Sequence, residues 1–224
     1  DANAPRVAVL IAAWRAAAPI GGPVEPALPQ PKTAEVVLVD DASADNDATI
    51  ATAQAADDGT GRLRIIVQPQ NAGPAAARNA AIRASTAPWL CILDSDDYME
   101  AGRLGRLLAA AEGYDFIADD ILQETAGGAA AATRKAMWFE GPSKGIDVSL
   151  GLFVDANISR PGRSRRELGF IKPLMRRTFL EAHGLAYDDA MRLGEDYDLY
   201  VRALAAGARF RLTPAMGYVA VMRA

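Results

Sequence analysis

A chain of 224 residues, half of them apolar, can bury one sizeable core and is not a disordered protein. Its 24 basic and 28 acidic residues leave a net charge of −4, which gives no basic footprint for nucleic acid, so any polyanion contact must be local. The single cysteine, Cys91, excludes an internal disulfide and a cysteine metal site. No apolar segment approaches the roughly 20 residues of a membrane span, and Asp1-Ala2-Asn3 does not begin a signal-peptide pattern. The expectation is a cytoplasmic protein, with peripheral contact at the inner face of the membrane left open.

In chain order, apolar strands are predicted at 7–13, 36–39, 63–67 and 89–93. The segment 16–32 carries Pro19, Pro23, Pro26, Pro29 and Pro31, which remove amide donors and predict a loop or a broken helix. An alanine-rich helix is predicted over 75–84, preceded by Asn71-Ala72-Gly73-Pro74 with the proline placed for the first turn. Short apolar strands separated by helices argue for a mainly parallel sheet covered on both faces, with functional loops at the carboxyl ends of its strands. Asp40-Asp41 follows the second strand and Asp94-Ser95-Asp96-Asp97 the fourth.

Further on, a helix is predicted at 101–112, a strand at 116–122 and a mobile Gly/Ala-rich loop at 125–133. A basic stretch follows, with Arg160, Arg163, Arg165, Arg166, Lys172, Arg176 and Arg177, read first as solvated surface. A helix at 195–206, terminated by Gly207, precedes strands at 209–213 and 218–222. The carboxylates of Asp94, Asp96 and Asp97 are costly together unless a divalent cation or a basic side chain neutralises them. The first of these is the reading adopted; the alternative is a solvated turn capping the next helix.

Five segments in order carry a resemblance: VAVLIAAW at 7–14, VLVDDAS at 37–43, NAGPAAARN at 71–79, LDSDD at 93–97 and GEDYDLYVRAL at 194–204. Together they resemble the bacterial family-two glycosyltransferases of the GT-A fold, and GFIKPLMRR at 169–177 resembles those that build exopolysaccharides of the succinoglycan type. The resemblance implies an α/β, Rossmann-like, mainly parallel sheet flanked by helices, with a smaller acceptor-side lobe. It implies one domain over 1–224, split into a nucleotide-sugar half (1–122) and an acceptor and catalytic-base half (123–224). The implied reaction moves a sugar, with inversion, from a nucleoside diphosphate sugar, most naturally a UDP-sugar, to a saccharide or lipid-linked saccharide. The cofactor it implies is Mn2+ or Mg2+.

By the same resemblance, Ala12, Trp14, Asp40, Asp41, Arg78, Asp94, Ser95 and Asp96 contact the donor, Asp94, Asp96 and Asp97 hold the metal, Asp196 is the general base and Glu195 orients the acceptor. Each residue also has a plainer reading. Trp14 can be core, Arg78 can pair with Asp41 or Asp94, and Asp196 can cap its helix. Arg163, Arg165 and Arg166 either are solvated or face a phosphate of donor or acceptor. His183 reads as a helix-end residue, and Met137-Trp138-Phe139 as core or acceptor wall. Two other functions are weighed: a nucleotide-sugar-binding module without turnover, and a nucleotidyltransferase, for which Ala12-Ala13-Trp14-Arg15 lacks the glycine-rich basic loop. Relatives often continue past the last strand with acceptor-binding or membrane-associating elements. Sugar, linkage and oligomeric state are not fixed by sequence.

Overall fold

Residues 6–16, 21–125 and 133–222 are described in a computed structural model. Most of the predicted loop 125–133 and part of the segment 16–32 lie outside them. The first half holds β1 (Val7–Ala13), α1 (Gly21–Ala27), β2 (Thr33–Asp40), α2 (Asn46–Ala55), β3 (Leu63–Val67), α3 (Pro74–Ala84) and β4 (Trp89–Ile92); the four strands and α3 fall where predicted, whereas α2 is not among the predicted elements. β1, β2 and β3 pair in parallel, and β4 pairs in parallel with the other edge of β1. β4 is buried throughout and β1 nearly so, which is why both read as unbroken apolar runs. The described part of the proline-laden segment forms a seven-residue helix, α1, despite Pro26 inside it.

The second half adds β5 (Tyr98–Met99), α4 (Arg103–Ala109), β6 (Phe116–Thr125), β7 (Thr133–Ala136), β8 (Ile146–Asp147), α5 (Leu150–Ala156), β9 (Leu174–Arg176), α6 (Arg177–Ala182), α7 (Glu195–Ala205) and β10 (Phe210–Met222). The sheet runs in the order β3-β2-β1-β4-β9-β6-β10-β5, with β7 on β6 and β8 on β10. β6 passes through the expected division at 122, so both halves share one continuous sheet. The strands predicted at 209–213 and 218–222 are one strand whose register against β6 shifts between Thr213 and Tyr218. Pro214, without an amide hydrogen, sits in that break. α4 is shorter than predicted at both ends: 101–102 form the turn leaving β5, and the helix caps at Ala110 before Gly113, whose φ is 76°.

β1 lies where strand order reverses, with β2 on one side and β4 on the other, and in open α/β sheets such a switch point is where ligands bind. A fully buried ion pair ties α4 to β6. Arg103 of α4 donates through Nη2 to Asp119 Oδ1 at 2.6 Å and through Nε to Asp119 Oδ2 at 3.0 Å. A second Nη2 bond, 2.8 Å to the carbonyl of Lys172, joins this pair to the site above.

Candidate active site

The carboxyl ends of β1 and β2 build the first part of the site. Asp41 accepts from Gln68 Nε2 (2.8 Å) and from the amides of Ala72 (2.8 Å) and Gly73 (2.7 Å). The Asn71–Pro74 loop is thereby wrapped onto one carboxylate, which leaves Asp41 about one of its four lone-pair sites. Gly73 has φ 94°, and a Cβ there would lie 2.6 Å from Arg192 Nη1, so only glycine lets Arg192 fold over this loop.

Asp40 does not meet the expectation of a donor contact. It is wholly buried, and its two oxygens accept from the Ser43 amide and hydroxyl, both at 2.8 Å, while Ser43 Oγ accepts from the Arg15 amide at 2.8 Å. Its function is to tether the turn after β1, where Arg15 has φ 51°. That turn leaves Trp14 53% exposed, which excludes the core reading, with the Arg15 guanidinium 4.7 Å from its ring centroid. Trp14, Ala12, Asp41, Asn71, Ser95 and Arg192 line a cleft of about 480 Å³.

A second cleft of about 480 Å³ opens beside it over a buried cluster of charges. Arg78 of α3 donates through Nη2 to Asp94 Oδ1 (2.9 Å) and through Nη1 to Asp196 Oδ1 (3.2 Å) and to Glu195. Lys172 Nζ lies 2.7 Å from Asp196 Oδ2 and 3.1 Å from Asp94 Oδ2. The Tyr187 hydroxyl donates to Asp196 Oδ1 at 3.0 Å. Two cations thus face three carboxylates. Burial opposes the charges of Arg78 and Lys172, but Asp196 and Asp94 outweigh it and hold both protonated above their usual ranges. Burial likewise opposes the Asp94 charge, and Lys172 and Arg78 outweigh it, holding that carboxyl below its usual range. Of the two plainer pairings open to Arg78, the one with Asp94 forms and the one with Asp41 does not.

The two clefts meet along three adjacent residue pairs: Ala77 and Arg78, Ser95 and Asp94, Arg192 and Leu193, of which the first of each pair lines the Trp14 cleft and the second the Asp196 cleft. A molecule spanning the boundary would pass directly over Asp94 and Ser95.

The acidic run does not close around one point. Asp94 must be removed from the expected metal set, because both its oxygens face Arg78 and Lys172. Asp97 is buried and accepts from the Tyr218 hydroxyl (2.8 Å) and the Val221 amide (3.1 Å). Burial, then the charges of Asp94 and Asp96, push its carboxyl up to about 6. Asp96 is exposed. Among the described residues no group of three His, Cys, Asp or Glu is gathered to hold an ion unaided. Asp96, with the excess negative charge at Asp97 behind it, fits the one- or two-carboxylate, phosphate-completed binding usual for Mg2+; a three-carboxylate cage does not fit.

Lys172, Tyr187, Arg192 and Tyr218 belong to the site although the sequence motifs do not single them out. Lys172 stands in a run of surface cations, yet a lone lysine among Phe170, Ile171, Leu174 and Met175 signals a buried, paired charge. The rest of that stretch divides. Arg163 pairs with Asp155 at 2.6 Å, Arg165 pairs with Glu167 at the cleft, Arg166 stacks 4.0 Å over Trp138, and Arg177 holds the carbonyl of Ala87 at 2.7 Å. His183 sits at the end of α6 against Phe179, and Trp138 is core. Among the described residues no helix is long and apolar enough to cross a membrane.

Comparison with known proteins places this geometry. The model of the family described as glycosyl transferase family 2 matches residues 8–177. The chain is 51% identical over 217 residues to the succinoglycan biosynthesis protein ExoU of Rhizobium meliloti (strain 1021), covering 97% of this chain and 62% of that protein. It is 37% identical over 219 residues to the succinoglycan biosynthesis protein ExoO of the same organism, covering 96% and 60%. The chain therefore spans about 60% of the length of these relatives. Its fold matches S. aureus TarS 1-349 with a TM-score of 0.70 at 18% identity, over 96% of this chain and 60% of that one. The complex of TarS 1-349 with UDP-GlcNAc matches at 0.70 and 19% identity, over 98% and 59%. The architecture is the α/β GT-A fold, and the chain belongs to glycosyl transferase family 2.

Proposed function

We propose that this chain is the catalytic module of an inverting glycosyltransferase that moves a sugar from a nucleoside diphosphate sugar to a saccharide or lipid-linked saccharide. The observation that carries the proposal is the pair of clefts meeting over Asp94 and Ser95, one edged by Trp14 and Arg192 and the other floored by Glu195 and Asp196. The TarS complex with UDP-GlcNAc and the succinoglycan relatives support a UDP-sugar and an exopolysaccharide acceptor.

In this reading the base stacks on Trp14 and takes the remaining acceptor capacity of Asp41. Arg192, exposed at the cleft, meets the diphosphate. A divalent cation held by Asp96, with Asp97 behind it, would neutralise charge on the departing diphosphate. The acceptor hydroxyl attacks the anomeric carbon from the side of the Asp196 cleft, its proton passes to Asp196, and the bond to the diphosphate oxygen breaks on the opposite face. Arg78 and Lys172 hold Asp196 and Asp94 in fixed relation, so the base and the donor edge are positioned by the same two cations.

One observation favours a second reading, a nucleotide-sugar-binding module without turnover: Asp196 already accepts from Lys172, Arg78 and Tyr187, leaving about one lone-pair site for an acceptor hydroxyl.

A thermal-shift comparison of UDP, GDP, ADP and TDP with manganese or magnesium tests donor binding. Selective stabilisation by one nucleotide, on the order of 2.7 kcal/mol at a hundredfold excess over its Kd, is expected. The metal-dependent part should vanish in Asp96→Asn; equal stabilisation of that variant with and without metal is the expected result, and a metal-dependent gain as large as the parent's contradicts the metal assignment. Arg192→Ala should raise the donor KM roughly tenfold with kcat retained, the size of one lost charge-assisted phosphate bond. An unchanged donor KM removes Arg192 from the diphosphate site.

A further inference from the structure

Large apolar side chains on the surface are not scattered at this end of the molecule. Phe170 is 52% exposed, Leu193 86% and Ile158 43%, and all three, from separate segments of the chain, line the Asp196 cleft. Exposed apolar side chains gathered at one concave site mark a binding surface.

The backbone of Phe170 is also anchored. It ends the 3-10 turn Leu168–Phe170, its amide donates to the Glu167 carbonyl at 3.0 Å, and its neighbours Leu168 and Ile171 are completely buried. Gly169 lies so close to α7 that a Cβ there would be 3.2 Å from Tyr197 Cβ. The backbone that carries the ring is therefore anchored beside the carboxylates that line the same cleft.

We propose that Phe170 and Leu193 form the platform for the terminal pyranose of the acceptor, whose C–H face lies on the ring while its hydroxyl edge meets Glu195 and Asp196. The chemistry of the walls selects this occupant. A pyranose carries an apolar face and hydroxyls at its edges, matching an aromatic wall beside buried carboxylates. A lipid chain in the same place would desolvate Glu195, Asp196 and Lys172 without offering them a hydrogen bond. Arg165, which lines the same cleft paired with Glu167, supplies polar contacts for the next sugar.

The inference rests on the transfer reading, and its test separates the two. Saturation-transfer NMR with methyl β-glucoside, methyl β-galactoside and methyl β-cellobioside, in UDP and magnesium, should show transfer concentrated on one face of ring C–H protons. Phe170→Ala should weaken the bound glycoside roughly tenfold and Leu193→Ala a few-fold, the scale of one lost stacking contact. Phe170→Tyr should bind within about twofold of the parent, which a merely structural role of the turn does not require. UDP binding should be the same in all variants. Glycoside binding unchanged in Phe170→Ala, or no saturation transfer to any of the three in the parent, overturns the platform. So does loss of co-sedimentation with phosphatidylglycerol vesicles in Phe170→Ala and Leu193→Ala while glycosides still bind, which would make the rim a lipid surface. Failure of UDP to bind, with glycosides still lost in Phe170→Ala, would sink the donor reading and leave the platform standing.

Discussion

Asp196→Asn should fold, bind donor with unchanged affinity and lose transfer by roughly 100- to 10,000-fold in kcat, the range set by removal of a positioned general base. The fold should survive because the cluster tolerates the change in charge. Arg78 and Lys172 face Asp94, Glu195 and Asp196, so the neutral variant leaves two cations against two carboxylates. The side-chain amide introduced there keeps one carbonyl oxygen for Lys172, the Tyr187 hydroxyl can turn to accept, and Arg78 Nη1, losing its 3.2 Å bond to Asp196, keeps Glu195. Glu195→Gln, which touches the same guanidinium without the Lys172 bond, should mainly raise the acceptor KM. Steady-state transfer assays on both variants check this, and full activity in Asp196→Asn removes it as the base.

The second large effect lies below the site. Asp119→Ala should destabilise the protein by about 3–5 kcal/mol, because it leaves the guanidinium of Arg103 buried without its partner. For a chain of this size that corresponds to a fall in Tm of roughly 6–20 °C. The double variant Arg103→Met with Asp119→Leu should recover most of the loss, since an apolar pair carries no desolvation cost. It should not recover the activity, because the bond from Arg103 to the Lys172 carbonyl goes with the guanidinium. Calorimetry of the single and double variants, beside their transfer rates, separates stability from positioning; equal Tm for Asp119→Ala and parent contradicts a buried uncompensated charge.

Much of the fold is legible in the sequence because the central strands β1 and β4 are buried on both faces. Val7–Ala13 begins after Arg6, the half-buried Leu63–Val67 is bounded by Arg62 and Gln68, and Pro74 marks the start of α3. The short pieces are not legible. β9 holds only Leu174–Arg176 and is a strand because β4 and β6 flank it, a tertiary cause with no local pattern. The site divides in the same way. Asp94, Arg78, Glu195 and Asp196 stand in segments whose order and spacing carry the family resemblance, and they do converge. Asp40 and Asp41 are adjacent in sequence yet opposite in use, since strand alternation turns one toward Ser43 and the other toward the loop at 71–73. Lys172 is masked by its arginine-rich surroundings, and only its apolar neighbours in sequence hint at the burial that the structure shows.

The most direct test of nucleoside diphosphate sugar transfer is single-turnover release of UDP from UDP-glucose and UDP-GlcNAc, with and without manganese, in parent and Asp196→Asn proteins. The expected result is metal-dependent release from one donor by the parent, greatly slowed in Asp196→Asn although both proteins bind UDP equally. Binding of UDP by the parent without release from either donor, in the presence of saccharide acceptors, would contradict transfer and establish the binding module instead.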